Sequence, residues 1–225
     1  MTIGAVADIH GNFDALSTAI APHPEVPLWI CVGDLASRTG AYPDTAKPLY
    51  WIKGNNEDFD RIAEWQAGAK APPDLRYIKN GAAAQVGPLT VAGLGGTFAP
   101  TWFETKADAL PHRLKDDKRR HFVREEAEAC KRLRGVDILM THEAARPFII
   151  VDEPKPGGKP RRHDAGKPVI NDVLATLQPR LHLCGHHHRF AETVREGVRS
   201  VCIDRINRSY LLIDAETLQY RKIDQ

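Results

Sequence analysis

Five times along this chain of 225 residues a short apolar run ends in a polar motif built from Asp, His, Asn and Gly. The runs cover 2–7, 28–32, 49–53, 136–140 and 181–184. They end respectively in Asp8-Ile9-His10, Gly33-Asp34, Gly54-Asn55-Asn56-Glu57, Thr141-His142-Glu143 and Gly185-His186-His187-His188. Runs this short and this uniformly apolar read as strands buried on both faces. Polar chemistry at their carboxyl ends is where a parallel sheet presents functional groups.

The rest of the pattern agrees with an α/β chain. Helical periodicity at about 12–21 and 58–67 alternates with the first three runs, as in a layered α/β domain. From residue 75 strands follow one another (75–79, 82–86, 89–92), separated by Asn80-Gly81 and Gly87-Pro88, which are hairpin-type turn signals. Helices are expected again at about 119–134 and 168–178, and strands from 189 to 222. There is no repeat and no flexible linker, so one domain over 1–225 is expected, with insertions at about 99–134 and 154–168. The Gly93-Leu94-Gly95-Gly96 run lacks the helix signal and glycine spacing of a dinucleotide loop and reads as a tight turn. Trp102 and Phe103 suit core packing better than nucleobase stacking.

Composition excludes several classes. No apolar stretch approaches the ~20 residues of a membrane span, and the first residues form a strand pattern without the basic and apolar regions of a secretory signal. Cys31, Cys130, Cys184 and Cys202 show no C-x-x-C spacing, and three lie within apolar strand patterns. That usage suits small buried hydrophobes in a reducing cytoplasm, so a cytoplasmic protein without an obligate protein partner is expected.

Carboxylates, imidazoles and an amide carbonyl are ligands for Mn, Fe and Zn class ions. Any one motif is commonplace: Asp-x-His occurs widely, and Gly-Asp after a strand is an ordinary turn. Their order is more telling. The chain resembles the calcineurin-like metallophosphoesterase superfamily, whose members carry D-x-H, G-D, G-N-H-[ED], a lone H and G-H-x-H in this sequence. The resemblance implies an α-β-β-α sandwich of two packed mixed β-sheets flanked by helices. It assigns Asp8, His10 and His188 to one divalent ion and Asn55, His142 and His186 to a second, with Asp34 bridging. Mn is expected, with Fe, Zn or Ni as alternatives. Two such ions carry four positive charges, of which two aspartates cancel part, leaving a centre that attracts a phosphate ester. His187 faces away from its neighbours if the segment is extended and is left out of the ligand set.

One departure bears on substrate. Where the superfamily motif has a His that protonates the leaving oxygen or steadies the phosphate, this chain has Asn56. An amide cannot supply a proton, although its NH2 can donate a hydrogen bond to a phosphoryl oxygen. Leaving groups of low pKa need little protonation. The expected activity is therefore that of a phosphodiesterase with Asp34, Asn56 and Arg38 at its centre, unless His187 or a histidine of the insertions replaces the missing acid. A phosphomonoesterase, a nucleotide pyrophosphohydrolase and a non-catalytic binding platform of the same fold are the alternatives. The platform has no reason to retain seven ligands.

The insertions are basic. Lys115, Lys118, Arg119 and Arg120 cluster before the helix expected at 119–134. The segment 154–168 carries Lys155, Lys159, Arg161, Arg162 and Lys167 against Asp164 alone, a larger excess than the whole chain's +2. It reads either as an unstructured lid that draws in an anionic substrate, with Lys155, Lys159, Arg161 and Arg162 as contacts, or as a solvated surface loop. Arg120-His121-Phe122-Val123-Arg124 leading into 137–143 is similar to the corresponding part of RNA lariat debranching enzymes, which cleave 2'-5' phosphodiester bonds. That likeness implies a nucleotide or RNA substrate.

Overall fold

The computed structural model describes residues 1–112, 116–152 and 161–225. In chain order the strands are β1 (Thr2–Val6), β2 (Trp29–Cys31), β3 (Leu49–Trp51), β4 (Leu75–Tyr77), β5 (Ala82–Val86), β6 (Leu89–Leu94), β7 (Ile138–Thr141), β8 (Ile149–Asp152), β9 (Arg161–Asp164), β10 (Leu181–Cys184), β11 (Ala191–Arg195), β12 (Val198–Cys202), β13 (Ser209–Asp214) and β14 (Tyr220–Asp224). The α-helices are α1 (Phe13–Ile20), α2 (Phe59–Gln66), α3 (Pro100–Phe103), α4 (Arg124–Arg132) and α5 (Pro168–Leu177).

Two six-stranded mixed sheets stack face to face, in the orders β14-β13-β1-β2-β3-β4 and β11-β12-β10-β7-β6-β5. In each, four strands run parallel; antiparallel β13 and β14 flank one side of the block in the first sheet, whose other edge is parallel β4, and antiparallel β11 and β5 close both edges of the second. Alternation of side chains on extended backbone sorts each central strand between two cores. Ile3, Ala5, Ile30, Val32, Ile138, Met140, Leu181 and Leu183 point between the sheets. Val6, Trp29, Cys31, Leu49 and Trp51 point outward onto α1 and α2, and Ala92, Leu94 and Leu139 onto α4 and α5. Burial on both faces explains why these strands carry continuous apolar runs. α1 and α2 start on side-chain caps: Asn12 Oδ1 accepts the Ala15 N–H and Asp58 Oδ1 accepts the Arg61 N–H.

Three sequence expectations are corrected. β4 and β5 do not form a hairpin, because β4 edges the first sheet and β5 edges the second. Asn80-Gly81 is instead the crossover, fixed by the Asn80 amide, which donates to the Gly95 carbonyl at 3.0 Å and accepts the Gly95 N–H at 2.6 Å. Gly93 and Leu94 belong to β6, so the glycine run is half strand and only its end turns, at Gly96 with φ +88°. The basic segment is not unstructured throughout, since Arg161–Asp164 pairs antiparallel with β8. Lys115, Lys155 and Lys159 lie outside the described residues. Phe103 is buried against Phe98 and Phe122, and Trp102 lies under the Lys118 ammonium at 5.5 Å. All four cysteines are buried and free, and no described helix is long and apolar enough to cross a membrane.

The tightest approach within the first sheet is that of Gly4 to Trp29, where a Cβ would stand 2.1 Å from the indole ring. Gly4→Ala is expected to lower unfolding free energy by about 1–3 kcal/mol through overpacking, read as a shift in urea midpoint at unchanged slope.

Candidate metal centre

The polar motifs follow the carboxyl ends of β1, β2, β3, β7 and β10, and stacking of the two sheets brings those ends together. Asp8 and Asp34 are buried carboxylates, each about 1% exposed. Asp8 Oδ1 lies 3.5 Å from His188 Nε2 and 3.8 Å from His10 Nε2, and the two imidazole nitrogens are 3.1 Å apart. Asp34 Oδ2 is 3.6 Å from His10 Nε2, and Asp34 Oδ1 is 3.5 Å from His142 Nε2, which in turn stands 3.0 Å from Asn55 Oδ1. Ligand atoms ~2.1 Å from a shared ion stand about 3.0–3.4 Å from one another, so these separations fit a metal-binding donor set. Two overlapping groups emerge, Asp8 with His10 and His188, and Asp8 with Asp34 and His142. The His186 ring lies 5.0 Å from that of His142 between centroids, and the His186 backbone N–H donates to both Asp8 oxygens at 3.2 and 2.9 Å.

Backbone strain concentrates here. Asp8, His10, Asp34, His186 and His188 all have positive φ, between 49° and 69°. Left-handed backbone in non-glycine residues costs ~1–3 kcal/mol each and persists only where surrounding structure imposes it. The motif glycines make room for the carboxylates. A Cβ on Gly54 would stand 1.9 Å from Asp34 Oδ1, and one on Gly185 2.9 Å from Asp8 Oδ2. Gly33, at φ +102°, would meet the His142 ring at 2.6 Å.

Asp34 is the most constrained of the set. The Asn56 backbone N–H donates to Oδ1 and its side-chain NH2 to Oδ2, both at 2.8 Å. Burial alone would favour the neutral acid, but the His142 charge and these donors hold the Asp34 carboxyl far below the usual range. The partner responds in kind. Burial opposes a charge on His142, yet Asp34 and then Asp8 raise its pKa above the ordinary histidine value, and Nδ1 is 2.9 Å from the Val32 carbonyl.

Asn56 therefore engages Asp34, and one of its amide hydrogens remains for a phosphoryl oxygen. His187 stacks on Phe148 at 4.5 Å, and burial followed by repulsion from His186 pushes it down to about 3, so the ring is neutral at pH 7 and is not an imidazolium acid. Arg38 lines a cleft of about 830 Å³ that opens beside His10, Asn55 and Asn56 and continues along the insertion at His112, Arg119 and Arg120. Arg161 and Arg162 stand exposed on β9 and are not among the residues lining that cleft.

Two residues matter more than their sequence reading suggests. Glu57 ties the loop after β2 to the loop after β3, accepting the N–H groups of Leu35, Ala36 and Gly54 and the Tyr42 hydroxyl at 3.0–3.1 Å. Burial and then Asp34 push its carboxyl up to about 7, against the pull of those donors. Lys53, at the end of an apolar strand pattern, sends its buried ammonium to the carbonyls of Arg119 and His121 at 2.8 and 3.1 Å. A lone Lys closing an apolar run was the signal available for it.

Gly54→Ala is expected to displace Asp34 and lower Mn affinity at least tenfold with the secondary structure intact, read by metal titration and circular dichroism. Because the folded pKa of His142 is raised, its contribution to the metal-free protein is fully present below the ordinary 6.5 and is lost as pH rises through the folded value. An ion can take that imidazole only once it is neutral. Metal uptake at pH 7 should thus release a proton, measured as a buffer-dependent enthalpy in calorimetry, and His142→Gln should abolish that release.

The calcineurin-like phosphoesterase family model matches residues 1–190. A lariat debranching enzyme of Schizosaccharomyces pombe is 25% identical over 203 residues, which are 84% of this chain and 44% of that protein, so the chain spans less than half the length of that relative. Among solved structures, the protein TT1561 of Thermus thermophilus superposes with a TM-score of 0.63 at 15% identity, covering 99% of this chain and 98% of that one. A novel archaeal phosphodiesterase superposes at 0.54 and 12% identity over the full length of both. These likenesses carry the fold of two stacked mixed sheets between helices, and the family's use of divalent metal ions agrees with the donor set. With the family model matched over most of its length, this chain belongs to the calcineurin-like phosphoesterase family.

Proposed function

We propose that the chain is a dinuclear metal-dependent phosphodiesterase of one domain over 1–225, acting on phosphate esters of nucleotide or nucleic-acid type. The observation that carries this reading is the convergence, from five separate strand ends, of the buried carboxylates of Asp8 and Asp34 with His10, Asn55, His142 and His188, the His186 ring lying beside that of His142; five of these seven residues are in left-handed backbone. Asp8, His10 and His188 would hold one ion, Asn55, His142 and His186 the other, and Asp34 both; Mn is the first choice, with Fe, Zn or Ni as alternatives. When bound there, divalent ions neutralise phosphoryl charge and lower the pKa of the attacking water.

The chain's own residues then divide the remaining work. Asn56 fixes both oxygens of Asp34 and offers its second amide hydrogen to the phosphate. Arg38 supplies a guanidinium from the cleft wall. Glu57 keeps the two loops that carry Asp34 and Asn55 in register. A proton for the leaving oxygen has to come from elsewhere than Asn56 or His187. His112, which lines the cleft wall, is the candidate for it among the insertion histidines, and where it does not reach, the substrate must leave without help. That favours diesters with good leaving groups. The lariat debranching relative supports a diester substrate of RNA type.

Asp34→Asn should lose bound metal by elemental analysis and all diesterase activity. Asn56→His should accelerate poor leaving groups by ~10²–10⁴-fold where protonation limits the rate and activated bis-p-nitrophenyl phosphate far less. A wild-type protein that hydrolyses alkyl monoesters as fast as activated diesters, with no response to Asn56→His, would overturn the diester preference.

A further inference from the structure

The cleft beside the metal centre has room for far more than one phosphate, and the charges along its wall are unevenly spent. Its carboxylates are engaged. Asp58 caps α2 through the Arg61 N–H at 2.9 Å. Asp60 accepts from Arg119 at 2.7 Å, and Asp117 accepts the Arg119 Nε–H with both oxygens at 3.0 and 3.1 Å, so Arg119 is neutralised where it stands. Two guanidinium groups in the same wall are not matched in this way. Among the described residues, neither Arg38 nor Arg120 forms a salt bridge, Arg38 makes no side-chain hydrogen bond, and Arg120 commits only Nε, to the Asp117 carbonyl at 2.8 Å.

Arg120 is also held firmly from behind. Its carbonyl accepts the Thr97 N–H at 2.9 Å, and Gly96 passes so close that a Cβ there would lie 2.5 Å from that oxygen. The carbonyls on either side, of Arg119 and His121, are those that Lys53 grips from the end of β3. Burying an ammonium is unfavourable unless hydrogen bonds replace its water. Here it fixes the backbone that carries Arg120 directly to the strand that carries Asn55. A guanidinium fixed in this way, with both terminal NH2 groups unspent, suits two-pronged recognition of a phosphate and loses little freedom on binding it.

We propose that Arg120 and Arg38 form a subsite for a second phosphate of the substrate, beside the one held at the metal centre, so that the substrate is an oligonucleotide-type diester and not an isolated ester. The proposal rests on the phosphoesterase reading above. A cleft of about 830 Å³ falls within the ~300–1,000 Å³ typical of sites for molecules of nucleotide size. The unpaired guanidinium groups place the further negative charge along the insertion and away from the β8–β9 strand pair.

The test uses Mn-loaded protein and dinucleotides whose scissile link is a non-hydrolysable phosphonate, with or without a terminal 5' or 3' phosphate, titrated by calorimetry. One terminal phosphate should tighten binding about tenfold or more, as expected for charge-assisted hydrogen bonds, and added salt should erode that gain. Arg120→Gln should remove most of the gain, Arg38→Gln part of it, and the double variant all of it, while Arg120→Lys keeps some. A dinucleoside diphosphate, whose second phosphate adjoins the first, should gain less than the terminal phosphate does. Equal affinity with and without the terminal phosphate, or a gain that survives in a correctly folded double variant, overturns the subsite. If the wild type hydrolyses the natural diesters without such a preference, the phosphoesterase reading stands and only the subsite falls. If it hydrolyses none and binds the phosphonates no better than chelated protein does, both fall.

Discussion

The carboxylate of Asp34 is the contact on which the site depends. It lies buried between the ends of two strands, takes two hydrogen bonds from Asn56, and faces His142 across the boundary between the sheets. A buried anion is tolerated only when positive charge and donors replace its water. The molecule supplies these from both sheets at once, so the geometry of the site and the stacking of the sheets are one constraint. The absence of a side chain on Gly54 is part of it, since any Cβ there would collide with the same carboxylate.

The left-handed backbone at five of the proposed ligands is the counterpart of that arrangement. A strand ending in ordinary extended geometry would continue its side chains alternately up and down. A residue at positive φ turns the chain sharply and lets Asp8 and His10, or His186 and His188, bear on the same volume from the same side. The central parallel strands, buried on both faces, provide the rigidity that keeps such unfavourable conformations in place.

Around this centre the loops are tied to one another and not merely to the strands. Glu57 joins the β2 and β3 loops, and Lys53 joins β3 to the insertion. These two links explain how a long excursion between β6 and β7 can present arginines to the cleft in a defined place. Asn56 braces the buried Asp34 carboxylate through both of its oxygens.

Much of this was legible from residues alone. The apolar runs marked the central strands because burial on both faces leaves no polar alternation to confuse them, and the Asp, His and Asn motifs marked the polar residues that the sheets bring together at the strand ends. Local pattern could not separate β4 from β5, since Asn80-Gly81 has the chemistry of a hairpin turn and only the Asn80–Gly95 contact, fifteen residues away, makes it a crossover. Nor could it tell Arg119 from Arg120, adjacent and alike in type. Asp60, fifty-nine residues earlier in the chain, neutralises one with Asp117 and leaves the other facing the cleft. What each strand is and which residues end it follow from side-chain periodicity, which is local; which charges remain unspent depends on partners that only the folded chain brings within hydrogen-bonding reach.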